Sequence, residues 1–100
     1  MKTVTRKIGS NKGRPRLWIE GAHLVAAGFA RGDNWTLRQT RTGLVIDKDV
    51  EGSRRVSGKG DRPVIDIMGA SLGVLAEGFE RAKLTYRPAQ GLIIIEGASE

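Results

Sequence analysis

The residues most able to do chemistry in this sequence are clustered cations. Positions 1–16 hold Lys2, Arg6, Lys7, Lys12, Arg14 and Arg16 and no acid, a local charge of +6. Positions 54–62 hold Arg54, Arg55, Lys59 and Arg62 against Asp61, a local charge of +3. The whole chain of 100 residues has a net charge of +6, so everything outside these two segments sums to −3. Guanidinium forks match phosphate oxygens and guanine edges, and ammonium groups act as point charges toward phosphate. Gly9, Gly13, Gly58 and Gly60 lie among these cations and let backbone N–H groups approach an anion closely. The pattern points to a polyanionic partner.

Other chemistries lack their parts. There is no Cys, which removes disulfides, thiol chemistry and cysteine-based zinc sites. A single His23 makes no histidine metal centre. Gly69-Ala70-Ser71-Leu72-Gly73 has the form G-x-S-x-G, but a nucleophile elbow needs a large sheet, an oxyanion loop and a base. Gly9–Lys12 lacks the length and the following Ser/Thr of a Walker loop. Asp47, Asp49 and Glu51 fall together in sequence without the paired arrangement of acid–base catalysis. The expectation is a protein that is not an enzyme and uses no cofactor or metal. No run of 18 apolar residues is present, so no membrane span is expected, and the basic start has no apolar core of a secretory signal. A cytoplasmic address is the simplest expectation.

The cationic segments recur because the sequence repeats. At an offset of 48, Arg6-Lys7-Ile8 meets Arg54-Arg55-Val56, and Arg14-Pro15 meets Arg62-Pro63. Ile19, Gly21-Ala22 and Leu24 meet Ile67, Gly69-Ala70 and Leu72. Gly28-Phe29 and Arg31 match Gly78-Phe79 and Arg81 at an offset of 50, and Gly43-Leu44 and Ile46 return to 48 against Gly91-Leu92 and Ile94. Such self-similarity is the first thing to seek in a sequence. It divides the chain into repeats 1–48 and 49–100, which together are expected to make one globular domain.

Each repeat reads as β-β-α-β-β. The predicted strands are Thr3–Ile8, Arg16–Ile19, Trp35–Gln39 and Leu44–Asp47, then Arg54–Ser57, Val64–Ile67, Lys83–Arg87 and Leu92–Glu96. Short helices are predicted over Ala22–Ala27 and Ala70–Ala76, each followed by a glycine suited to a helix C-cap. Basic glycine-rich turns join the first two strands of each repeat, and Thr42-Gly43 and Gln90-Gly91 mark the last turns. Trp18 and Trp35 lie on strands and are expected in the core, with stacking on exposed bases as the alternative. A unit of about 48 residues is small for a lone fold, and its strand edges would be open. Two units in one chain are therefore predicted to interlock as a pseudo-dimer. A pseudo-two-fold axis would bring both basic turns to one face, a geometry suited to straddling a nucleic-acid duplex. The first repeat carries +7 and the second −1, so the footprint is expected to be dominated by the first.

The sequence resembles the AbrB/MazE/SpoVT swapped-hairpin family, and especially its SymE-like branch. The resemblance rests on Gly21, Leu24, Ala27-Gly28-Phe29, Gly32-Asp33 and Gly43-Leu44-Val45-Ile46. It also rests on the basic strand–turn–strand Arg6-Lys7-Ile8, Gly13-Arg14, Leu17-Trp18-Ile19, repeated as Arg54-Arg55-Val56, Gly60-Asp61-Arg62, Ile65-Asp66-Ile67. It implies a mainly β fold with two short helices, in which tandem units exchange hairpins to form a barrel. Most members build this barrel from two chains; here one chain carries both copies. The second repeat departs from the pattern, with Ala82-Lys83 in place of Gly32-Asp33. No acidic partner-binding tail is expected after Ile95.

The resemblance assigns contact with double-stranded DNA to the opening hairpins. The candidate DNA-binding residues are Arg6, Lys7, Lys12, Arg14, Arg16, Arg54, Arg55, Lys59 and Arg62. The expected function is a transcriptional regulator, acting as a monomeric pseudo-dimer or a homodimer. The alternatives are a SymE-like RNA-interacting toxin and an antitoxin-like protein-interaction module.

Overall fold

The computed structural model describes residues 2–98; the outermost positions of the two repeats, 1, 99 and 100, lie outside it. Among the described residues the chain is mainly β, with ten strands in two antiparallel sheets, one short α-helix and two 3-10 segments. The strands are β1 (Lys2–Lys7), β2 (Gly9–Asn11), β3 (Arg14–Glu20), β4 (Asn34–Gln39) and β5 (Gly43–Lys48), then β6 (Arg54–Arg55), β7 (Ser57–Lys59), β8 (Arg62–Met68), β9 (Arg81–Arg87) and β10 (Leu92–Ala98). Seven of the eight predicted strands are present, shifted or extended by one or two residues at an end. The eighth, Arg54–Ser57, is split at Val56 between β6 and β7 in different sheets, and β2 and most of β7 lie in segments predicted as turns.

A six-stranded sheet has the order β1-β9-β10-β5-β4-β6, and a four-stranded sheet the order β2-β3-β8-β7. Exchanging each strand of residues 1–48 for its counterpart in 49–100 reverses both orders and leaves them otherwise unchanged. The central pairs join the two halves: β5 with β10 in one sheet and β3 with β8 in the other. The first strand of each half also crosses over, β1 to β9 and β6 to β4. Both sheets remain open, with β1, β6, β2 and β7 as edge strands, where the sequence led us to expect a closed barrel. The edges are joined only through the chain itself, which bends from β1 into β2 at Ile8 and from β6 into β7 at Val56.

The two sheets bury a single core between them. Alternation along β3 sends Leu17 and Ile19 inward, and along β8 Ile65 and Ile67. They meet Leu44, Ile46, Leu84, Ile93 and Ile95 from the larger sheet, with Leu24, Leu72 and Leu75 from the helical segments. Trp35 and Phe29 are the largest fully buried side chains.

Helix α1 (Ala22–Ala26) is one residue shorter than predicted and buries Leu24. The second predicted helix is instead a 3-10 segment, Gly69–Ala76, broken at Gly73 by φ 56°, ψ −129°. That backbone geometry is open to glycine and incompatible with a continuous helix. The sequence repeat also slips in its last strand. An offset of 48 equates Leu44 and Ile46 with Leu92 and Ile94, yet Ile93 and Ile95 are the fully buried residues, paired with Ile46 and Leu44. The cause is the preceding turn. Gly91 sits in left-handed geometry closing a 3-10 turn over Pro88–Gln90, whereas Gly43 already belongs to β5. With a side-chain period of two, a one-residue slip turns every side chain to the other face.

Candidate nucleic-acid interface

The two basic turns become the tips of two hairpins. In β2–β3, Asn11 pairs with Arg14 across the two-residue loop Lys12-Gly13. Both loop residues have positive φ, 55° and 81°, the pattern of a type I′ turn that matches strand twist. In β7–β8, Lys59 pairs with Arg62 across Gly60-Asp61. Both hairpins belong to the four-stranded sheet, so they share its outer face. The inward positions of Leu17, Ile19, Ile65 and Ile67 leave Arg14, Arg16, Trp18 and Glu20 of β3, and Arg62, Asp66 and Met68 of β8, on the outside, while Val64 at the same parity is buried. Lys59 joins them through its pairing with Arg62.

The hairpins point in opposite directions. Val64 lies opposite Glu20, so Arg62 stands eight strand residues from the level of Arg14. At about 3.3 Å per residue the two tips are about 26 Å apart along the sheet. The midpoint is the directly opposed pair Trp18 and Asp66.

Several of the nine candidate cations already have partners within the chain. Arg16 donates from Nε and Nη2 to the two carboxylate oxygens of Asp66, at 3.0 and 2.9 Å. Its guanidinium also lies 4.4 Å from the centre of the Trp18 ring. Donating these hydrogen bonds to Asp66 raises the Arg16 pKa further, against a smaller opposing effect of desolvation. Arg14 lies across Gly69, where a Cβ would fall 2.6 Å from its Nη2. Arg54 donates to the Ser71 hydroxyl at 2.9 Å and lies 5.5 Å from the centre of the Trp35 ring. Arg55 reaches Asn34 Oδ1 at 3.4 Å. Lys7, Lys12, Lys59 and Arg62 make no ion pair among the described residues.

The first strands contribute differently from the hairpins. Arg6 and Arg54 sit on opposite edges of the six-stranded sheet, away from each other. Arg6 instead joins Arg62 at a cleft of about 800 Å³ between α1 and the β7–β8 tip, floored by Ala22, Val25, Ala26 and Pro63. Arg14 and Arg54 correspondingly share the 3-10 segment, on Gly69 and Ser71. The structure thus groups each hairpin arginine with the first-strand arginine of the other half. It does not bring together all nine residues named from the sequence.

The expectation for the tryptophans holds for one of them. Trp35 is buried, and its indole N–H has no hydrogen-bond partner among the described residues. Trp18 is 39% exposed at the centre of the outer face. The alternation Leu17-Trp18-Ile19 carried that signal, because two buried aliphatic neighbours on one strand put the residue between them on the other side. Asp66, alternating with Ile65 and Ile67, was legible in the same way and was missed.

Among the described residues no group of three or more His, Cys, Asp or Glu is placed to hold a metal ion. Among them, too, no helix is long and apolar enough to cross a membrane. Compared with protein-family models, curated proteins and solved structures, the chain matches none.

Proposed function

We propose that the chain is a double-stranded DNA-binding regulator that uses the outer face of the four-stranded sheet. The observation that carries this reading is the placement of both basic hairpins in one sheet, their tips about 26 Å apart about a central pseudo-two-fold. Phosphate contacts from Lys12, Arg14, Lys59 and Arg62 at the tips would orient the sheet on a duplex, and outward arginines would read base edges. The crossed pairing of β1 with β9 and β6 with β4 supports a single-chain pseudo-dimer related to the swapped-hairpin fold. One chain then presents the two-fold face that a homodimer would otherwise supply, so the regulator would act as a monomeric pseudo-dimer or as a homodimer of such chains.

A second reading gains from Trp18. An exposed tryptophan on a sheet flanked by arginines is also a stacking platform for single-stranded nucleic acid. Fluorescence anisotropy against random duplex DNA and single-stranded RNA, over a salt series, separates the two. Duplex preference, with a log–log salt slope of about −4 and a loss on Arg14→Ala/Arg62→Ala, supports the first reading. RNA preference abolished by Trp18→Ala supports the second. Absence of binding to either would leave a protein partner as the function to pursue.

A further inference from the structure

The centre of the proposed face carries a feature that a phosphate-binding surface does not need. Asp66 stands directly opposite Trp18, midway between the hairpin tips, where a duplex laid across both tips must pass. Its carboxylate takes up the Arg16 fork on two oxygens, at 2.9 and 3.0 Å. This is the bidentate geometry with which a guanidinium grips phosphate. The stack on Trp18 fixes the guanidinium plane from a second direction. The pair is nevertheless accessible, with side-chain exposures of 30% and 27%, so it can open without unfolding the sheet.

We infer that Asp66 is an internal phosphate surrogate that withholds Arg16 from the nucleic-acid backbone and so suppresses sequence-independent binding. The inference rests on the proposed duplex-binding reading. A ligand that offers only phosphate at this point gains little, because it must break an equivalent ion pair and meets the carboxylate as a like charge. A guanine edge offers Arg16 two acceptors without a full negative charge beside Asp66. Asp66 therefore acts as a specificity-determining residue by penalising the wrong partner.

The test is anisotropy of the full chain on random-sequence duplex DNA over a salt series. It compares the wild type with Asp66→Asn, Arg16→Gln/Asp66→Asn, and Glu51→Gln as an equal change of charge in the exposed loop between β5 and β6. Asp66→Asn is expected to bind random duplex about three- to tenfold more tightly, with a salt slope steeper by about one contact. The gain should vanish in the Arg16→Gln/Asp66→Asn variant and exceed that of Glu51→Gln. Asp66→Ser repeats the comparison if the Asn variant melts early. An affinity for Asp66→Asn equal to that of Glu51→Gln, or weaker than wild type, overturns the inference while leaving duplex binding intact. Binding by Asp66→Asn alone supports it, and no duplex binding by any variant overturns both the inference and the reading beneath it.

Discussion

Replacing Lys12 with Asn should stabilise the fold and weaken its proposed binding at once. Lys12 occupies the first loop position of the β2–β3 hairpin at φ 55°, the one non-glycine residue with positive φ among those described. Left-handed geometry is costly for a long side chain and much less so for Asn, whose amide bonds locally to the backbone. The change puts an Asn-Gly pair in the loop between Asn11 and Arg14, the preferred sequence for a two-residue type I′ turn. The Lys12 side chain is exposed and makes no ion pair among the described residues, so nothing is lost from packing. A gain of about 0.5–1 kcal/mol follows, which in a domain of this size raises Tm by about 3–6 °C. The same substitution removes one cation from a hairpin tip. If that tip grips phosphate, the salt slope of duplex binding should fall by about 0.9. Thermal unfolding by circular dichroism and anisotropy in parallel would measure both. A Tm that drops would refute the turn assignment, and an unchanged salt slope would remove Lys12 from the interface.

Three further outcomes follow from the packing. Gly43→Ala should abolish folding or cost more than about 4 kcal/mol, because its Cβ would overlap the Ile95 carbonyl oxygen at the central β5–β10 seam; a chemical-denaturation midpoint near wild type would contradict that close approach. Trp35→Ala should cost about 3–5 kcal/mol and Trp18→Ala less than about 1, since only the first empties a buried site; acrylamide should quench the fluorescence of Trp18 and spare that of Trp35. Burial raises the Tyr86 pKa above its ordinary value of 10.0, with Arg6 opposing. The unfolded chain therefore ionises first, so this contribution to stability is complete below about pH 10 and is lost as pH rises through the folded pKa. Denaturation between pH 8 and 11 should show that falling limb, flattened in Tyr86→Phe.

Strands were the most legible part of the molecule, because alternation and glycine-marked turns are local signals. Leu17-Trp18-Ile19 and Ile65-Asp66-Ile67 each state their inward face without help from the rest of the chain. The helical segments were less legible. Leu72 and Leu75 have helical spacing, yet Gly69 and Gly73 hold backbone angles that only the packed structure reveals. The slip in β10 escaped for a related reason. Leu92-Ile93-Ile94-Ile95 is apolar at every position, so it carries no alternation to say which pair faces in. The partner strand decides it, by setting Ile93 and Ile95 opposite Ile46 and Leu44.

The cations were legible as a group but not in their commitments. Charge counting gave the first half of the chain +7 and the second −1, which points to a face dominated by the first half. Contacts redistribute that advantage. In β3, Arg16 is held by Asp66 and Arg14 lies across Gly69. In the equivalent place on the second hairpin, Arg62 leaves Gly21 uncovered: nothing lies within 4 Å of where its Cβ would be. The cleft beside α1 is open for the same reason that the site over Gly69 is filled. Two halves with the same strand order thus differ in which arginines are free. The halves share their strand order and the central β3–β8 and β5–β10 pairs. They diverge in the β10 register and the second helical segment, and again at the hairpin tips, where one contact decides whether a guanidinium faces its own chain or a ligand.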